Sequence, residues 1–119
     1  MEFKTHRVNG VPIAELIGDE VAIHTESDGT DLIGNVYYQG FDRVVVHQKQ
    51  LAPAFFDLKT RLAGEILQKF SNYRVRLVIV GDFTQLDSRS LQEFISESNQ
   101  GKLVNFLPSL DAALEALSL

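Results

Sequence analysis

The sequence predicts an α/β fold built on a mixed sheet of about five strands. Three observations predict it. Two short runs, Val44-Val45-Val46 and Leu77-Val78-Ile79-Val80, are apolar on both alternating faces, the mark of strands covered on both sides. Between them Phe55, Leu58, Leu62, Ile66, Leu67 and Phe70 recur at three- and four-residue spacing, with Lys59, Arg61, Glu65 and Lys69 on the other side. Asn9-Gly10 supplies two residues tolerant of positive φ, as a two-residue hairpin turn requires. Strand, helix, strand with both strands buried is a βαβ unit, whose strands run parallel.

The remaining elements follow in order. Phe3 to Val8 and Val11 to Ile17 flank the turn as the arms of a hairpin, with Pro12 at an edge or a gap in the ladder because it lacks an amide hydrogen. Gly18 to Thr30 is polar and turn-rich. A helix from about Asp28 to Gln39 is expected from Leu32, Ile33, Val36 and Tyr37, with Gly40 placed to end it and Gly34 weakening it. In the next helix, spanning about Asp57 to Phe70, Ala63-Gly64 is expected to allow close approach to the sheet. Ser90 to Gln100 reads as a further helix: Leu91, Phe94, Ile95 and Ser98 share a face, Ser90 and Glu93 fit a capping box, and Gly101 stands at the stop. Leu103 to Leu107 is a short strand. After Pro108, Ser109 can cap a last helix that buries Leu110, Ala113, Leu114 and Leu117. The expected order is β-β-α-β-α-β-α-β-α, one domain over 1–119.

Composition narrows the functional classes. There is no cysteine, which removes disulfides, thiolate metal sites and thiol catalysis. Net charge is -5, which disfavours nucleic acid as a partner, since phosphate binding needs a basic face. Met1 to Gly10 has no apolar run, so no signal peptide is expected. No stretch approaches the roughly 18 apolar residues that span a bilayer. A cytoplasmic protein with no membrane partner is the expectation. His6, His24 and His47 share no H-x-x-x-H or H-x-H spacing, and no G-x-S-x-G, Walker-type or G-x-G-x-x-G motif occurs, so neither metal nor cofactor is expected.

Several runs carry a resemblance. Tyr38-Gln39-Gly40 to Val46-His47, Phe55-Phe56-Asp57-Leu58-Lys59-Thr60 and Leu62-Ala63-Gly64-Glu65-Ile66-Leu67-Gln68-Lys69-Phe70 are similar to the bacterial domain-of-unknown-function family 4180. Asn72-Tyr73-Arg74-Val75, Val80-Gly81-Asp82-Phe83 and Glu97-Ser98-Asn99 extend the match. That family carries no assigned activity. More distantly, the element order resembles STAS domains, the sulfate-transporter and anti-sigma-factor-antagonist modules. The resemblance implies a STAS-like fold, with a regulatory Ser or Thr at the start of the helix after the third strand. The usual Asp-Ser-Ser-Gly is absent, and Asp57-Leu58-Lys59-Thr60-Arg61 stands in its place.

Two groups of candidate residues emerge. Asp57, Lys59, Thr60 and Phe56 form a candidate interaction or regulatory surface, because a helix N-terminus favours anions and a phosphate there could alter docking. Plain capping by Asp57 accounts for the same residues. His47, Gly81 and Asp82, with Asp57 near them, form a candidate ligand pocket at the carboxyl ends of the third and fourth strands. A histidine bonded to nearby backbone is the simpler account of His47. The expected function is a non-enzymatic regulatory module that binds another protein or a second copy. The alternatives are a small-ligand domain at those strand ends, or an enzyme pairing His47 with a carboxylate about 3 Å away.

Overall fold

The computed structural model describes residues 1–119. Five strands form one sheet in the order β1-β2-β3-β4-β5, where β1 is Glu2–Val8, β2 Val11–Ile17, β3 Arg43–His47, β4 Arg76–Val80 and β5 Val104–Leu107. The hairpin β1–β2 is antiparallel, and every other pairing is parallel. Asn9 and Gly10 make its turn with φ of 52° and 77°, the left-handed pair that the dipeptide predicts. Val44–Val46 and Leu77–Ile79 lie side by side in the same direction, in register from Arg43↔Arg76 to His47↔Val80. Pro12 pairs only with Arg7 of β1, in a stretch of β2 that β3 does not reach.

Four helices cover the sheet: α1 Glu26–Tyr38, α2 Leu62–Tyr73, α3 Arg89–Gln100 and α4 Leu110–Leu117. Residues alternate between two cores because successive strand side chains point to opposite faces. On one face Ala14, Leu16, Val44, Val46, Leu77, Ile79, Val104 and Phe106 pack beneath α1, α2 and α3. On the other, Ile13, Val45 and Val78 pack against Ala113 and Leu117 of α4. Phe55 and Phe70 are the largest wholly buried side chains of the first core. Each contributes about 2–3 kcal/mol relative to exposure. Arg43 and Arg76, at the starts of β3 and β4, anchor α4 from its far end by donating to carbonyls of Ala116, Leu117 and Leu119.

Several local expectations change. α1 begins two residues earlier than predicted, at Glu26. Thr25 caps it by accepting from the Asp28 amide at 3.1 Å, while the Asp28 carboxylate accepts from the amides of Thr25 and His24. α3 is capped by Ser88, which accepts from Leu91 N–H, and not by Ser90, which is an exposed first-turn residue. The glycine that permits close packing is Gly29, where a Cβ would stand 3.1 Å from Cγ1 of Ile66 at the α1–α2 contact. Gly64 faces open space.

The largest difference lies before α2. That helix starts at Leu62, not near Asp57. Two 3-10 turns precede it, Pro53–Phe56 and Leu58–Thr60. Phe55 and Leu58 belong to different turns, with Asp57 extended between them, so their three-residue spacing does not mark one continuous helix. Arg61, at φ 65°, then makes the left-handed break that separates the turns from α2. A non-glycine residue there costs about 1–2 kcal/mol.

Candidate functional site

The two 3-10 turns form a knuckle whose parts are fixed by short polar bonds. Asp57 Oδ1 accepts from the Lys59 amide at 3.1 Å. The Thr60 hydroxyl donates to the carbonyls of Ala54, at 2.6 Å, and Asp57, at 2.8 Å, and accepts from Leu62 N–H at 3.2 Å. One side chain thereby joins the first turn, the second turn and the first residue of α2. Phe55 points into the core and is 1% exposed, whereas Phe56 is half-buried and packs edge-on to it with ring centroids 5.1 Å apart. Phe56 also stacks near Phe83, so the knuckle leans on the loop after β4. Asp57, Lys59 and Thr60 remain exposed.

Alongside the knuckle an open groove of about 480 Å³ follows the outer face of α2. Leu58 and Phe94 give it apolar walls, Gly64 leaves it unobstructed, and Arg61, Glu65 and Lys69 set charges of both signs along it. Leu58 and Arg61 bracket Lys59 and Thr60 in the chain, so knuckle and groove are continuous.

The candidate pocket residues His47, Gly81 and Asp82 occupy separate local roles. Gly81 makes room for a side chain: a Cβ there would lie 2.3 Å from Oε1 of Gln48. Asp82 caps the 3-10 turn Phe83–Gln85, accepting from the amide and hydroxyl of Thr84, and these bonds hold its carboxyl below the ordinary range. Neither residue lines a cavity together with His47, and Asp57 is engaged in the knuckle.

His47 instead pairs with Glu15, which sequence reasoning missed. Its Nε2 lies 2.7 Å from Oε2 of Glu15, and Nε2 of His6 lies 2.8 Å from Oε1. The three residues sit on the α4 side of β3, β2 and β1. Burial of Glu15 works to raise its carboxyl pKa. The bonds and charges of His6 and His47 outweigh it, and the net shift is downward. A signal was present in the run Ile13-Ala14-Glu15-Leu16. A carboxylate within a buried apolar strand demands partners, and the histidines were available. No group of three His, Cys, Asp or Glu residues has the arrangement to hold a metal ion.

Comparison with known proteins places this architecture. A family model described as Domain of unknown function (DUF4180) matches residues 8–117. The chain belongs to this family. Among solved structures, the DUF4180 chain is similar to the crystal structure of a Thermotoga maritima protein described as a candidate anti-sigma factor antagonist. The match has 13% identity and a TM-score of 0.50, and covers 95% of this chain and 92% of that one. At that identity the likeness concerns the fold alone, here one hairpin followed by parallel βα units. A comparison with curated proteins returns no match. No helix of this DUF4180 chain is long and apolar enough to cross a membrane.

Proposed function

We propose that this DUF4180 domain is a non-enzymatic regulatory module that docks a partner protein through the knuckle Pro53–Thr60 and the groove along α2. The observation that carries this reading is the pairing of an exposed, internally hydrogen-bonded knuckle with an open groove of mixed charge. Lys59 and Asp57 offer charge to the partner, Phe56 offers a half-buried ring, and Leu58 and Phe94 offer apolar contact. Such a mixture suits a protein surface, where aromatic anchors are ringed by polar groups. The Thermotoga maritima protein is described as a candidate anti-sigma factor antagonist, and it supports the reading only through likeness of fold.

Thr60 is the natural control point of such a surface. A phosphate on its oxygen would remove the hydroxyl proton that the carbonyls of Ala54 and Asp57 share, and would add negative charge beside Asp57. The knuckle would open, and the groove would change shape with it. An acid–base role for His47 fits less well. Its Nε2 and both oxygens of Glu15 are spent on one another and on His6.

The test uses the exposed, unobstructed position 64. The chain carrying Gly64→Arg or Lys59→Glu is compared with wild type, and with Thr5→Arg on the exposed side of β1 as a control, in affinity capture from host lysate followed by binding measurements on the purified partner. Loss of binding by at least tenfold in the first two and not in the control supports the reading. Equal binding in all four rejects it.

A further inference from the structure

The sheet ends in two edges, and the chain treats them differently. β5 is four residues long, and α3 closes its outer side. Asn99 Nδ2 donates to Phe106 O at 3.0 Å, Phe106 N–H donates to Asn99 Oδ1 at 2.7 Å, and the Ser98 hydroxyl donates to Val104 O at 2.6 Å. β1 is seven residues long and has no such cover. Its closing pair with β2, Val8↔Val11, spans the two-residue turn and exchanges both hydrogen bonds. The alternation of an antiparallel ladder then turns the backbone of Glu2, Lys4, His6 and Val8 toward β2, and that of Phe3, Thr5 and Arg7 outward. No side chain and no other strand of the chain bonds those outward groups. Glu2, Lys4 and Arg7 are exposed and enter none of the ion pairs within the chain.

We infer that β1 is the seam of a symmetric dimer, pairing antiparallel with β1 of a second copy and joining two five-stranded sheets into one. A two-fold axis normal to the sheet keeps the α4 faces of both copies on one side, so only residues that share a face stand opposite one another. Hydrogen bonding adds that outward residues must meet outward residues. The pairing that meets both conditions over the whole strand centres on Thr5. It sets Phe3 opposite Arg7, Thr5 opposite Thr5, Glu2 opposite Val8 and Lys4 opposite His6 of the second copy. The outward pairs form about six main-chain hydrogen bonds, two for each pair. Threonine opposite threonine is a favourable pair, and each Arg7 lies beside a Phe3 ring.

Charge selects this register. Sliding the strands by two residues one way sets Lys4 against Lys4, and like charges directly opposite repel. Sliding them the other way drops Glu2 and Phe3 from the ladder and leaves only Lys4 to Val8 overlapping. Exposed cations on an edge also resist pairing with arbitrary strands, so a strand that accommodates its own charges is the fitting occupant. The seam is one strand wide, which places the dimer among small, reversible interfaces.

The edge lies apart from the α2 groove and does not depend on the docking surface proposed above. Sedimentation equilibrium of the full chain from about 5 to about 500 µM covers the range that suits a short seam. The weight-average mass is expected to rise from 13.3 kDa toward twice that value. Thr5→Pro removes an outward donor and spares the bonds to β2, while Thr5→Arg sets two cations face to face. Both are expected to keep the wild-type circular dichroism and to stay monomeric. The chain has no cysteine, so introduced thiols report position by oxidative cross-linking. Opposed Cα atoms in a hydrogen-bonded pair stand about 5.5 Å apart, within disulfide reach. Thr5→Cys is expected to cross-link about tenfold faster or more than Lys4→Cys and Arg7→Cys, which are also exposed but face other residues. A mass that stays monomeric throughout, association that persists in Thr5→Arg, or equal cross-linking at the three positions overturns the seam.

Discussion

Gln50 Nε2 donates to the main-chain carbonyl of Leu16 at 3.0 Å, across the point where the ladder between β2 and β3 has ended. The same nitrogen reaches Gly18 O at 3.0 Å, and Gln50 Oε1 accepts from His47 N–H at 2.8 Å. A side-chain amide thus replaces the missing rungs of the sheet. It is 1% exposed with its bonding capacity directed at backbone on both strands.

Gln50→Leu therefore removes the partners of three backbone groups, those of buried Leu16, half-buried His47 and exposed Gly18, while roughly keeping the volume. The expected loss is roughly 2–4 kcal/mol, since each polar group left unsatisfied costs about 1–3 kcal/mol. Urea denaturation measures it, and a loss under about 1 kcal/mol would show that water replaces the amide.

Thr60 should behave as a fastener whose methyl group is dispensable. Thr60→Ser keeps the hydroxyl that bridges Ala54, Asp57 and Leu62, and is expected to be near neutral. Thr60→Val is expected to cost about 1–2 kcal/mol through the lost bonds. Thermal melts of the two variants separate the contributions, and equal melting temperatures would remove the role given to the hydroxyl.

The acid limb of stability should report Glu15. Its folded-state pKa lies below the ordinary 4.5, so its contribution is complete above that value and is lost as pH falls through the lower, folded-state value. Stability measured downward from about pH 5 should fall less steeply in Glu15→Gln than in wild type. At neutral pH the same variant should be less stable, because Gln cannot accept from both imidazoles with full charge. Parallel curves for the two proteins would contradict this assignment.

Arg76 holds the end of α4 by donating to Leu119 O at 2.9 Å and Ala116 O at 3.1 Å, and it reaches Lys102 O at 3.0 Å. Arg76→Met keeps most of the apolar stem and removes these donors. A cost of about 1–3 kcal/mol is expected, with faster amide exchange in α4 than in α2. Uniform loss of protection across both helices would place the effect elsewhere.

The order of elements was legible because hydrophobic periodicity is written locally. Val44–Val46, Leu77–Val80 and the Asn9-Gly10 turn each reveal their conformation within a few residues. The knuckle was not legible, because the spacing of Phe55 and Leu58 matches a helix, while the extended Asp57 between the two turns and the left-handed Arg61 after them leave no mark in the apolar pattern. Thr25 and Asp28 carried a readable capping pattern that the search for apolar periodicity passed over. The candidates Asp57 and Asp82 both resolve into caps of short turns.

Local patterning by itself determined the class of fold, the hairpin and the amphipathic faces of the helices, since each depends on residues close together in the chain. Tertiary structure alone decided that Glu15 meets His6 and His47, which lie 9 and 32 positions away, and that Gln50 closes the gap between two strands. Those contacts depend on strand order and register, which bring distant residues onto one face. No local signal specifies which buried carboxylate will find which imidazole.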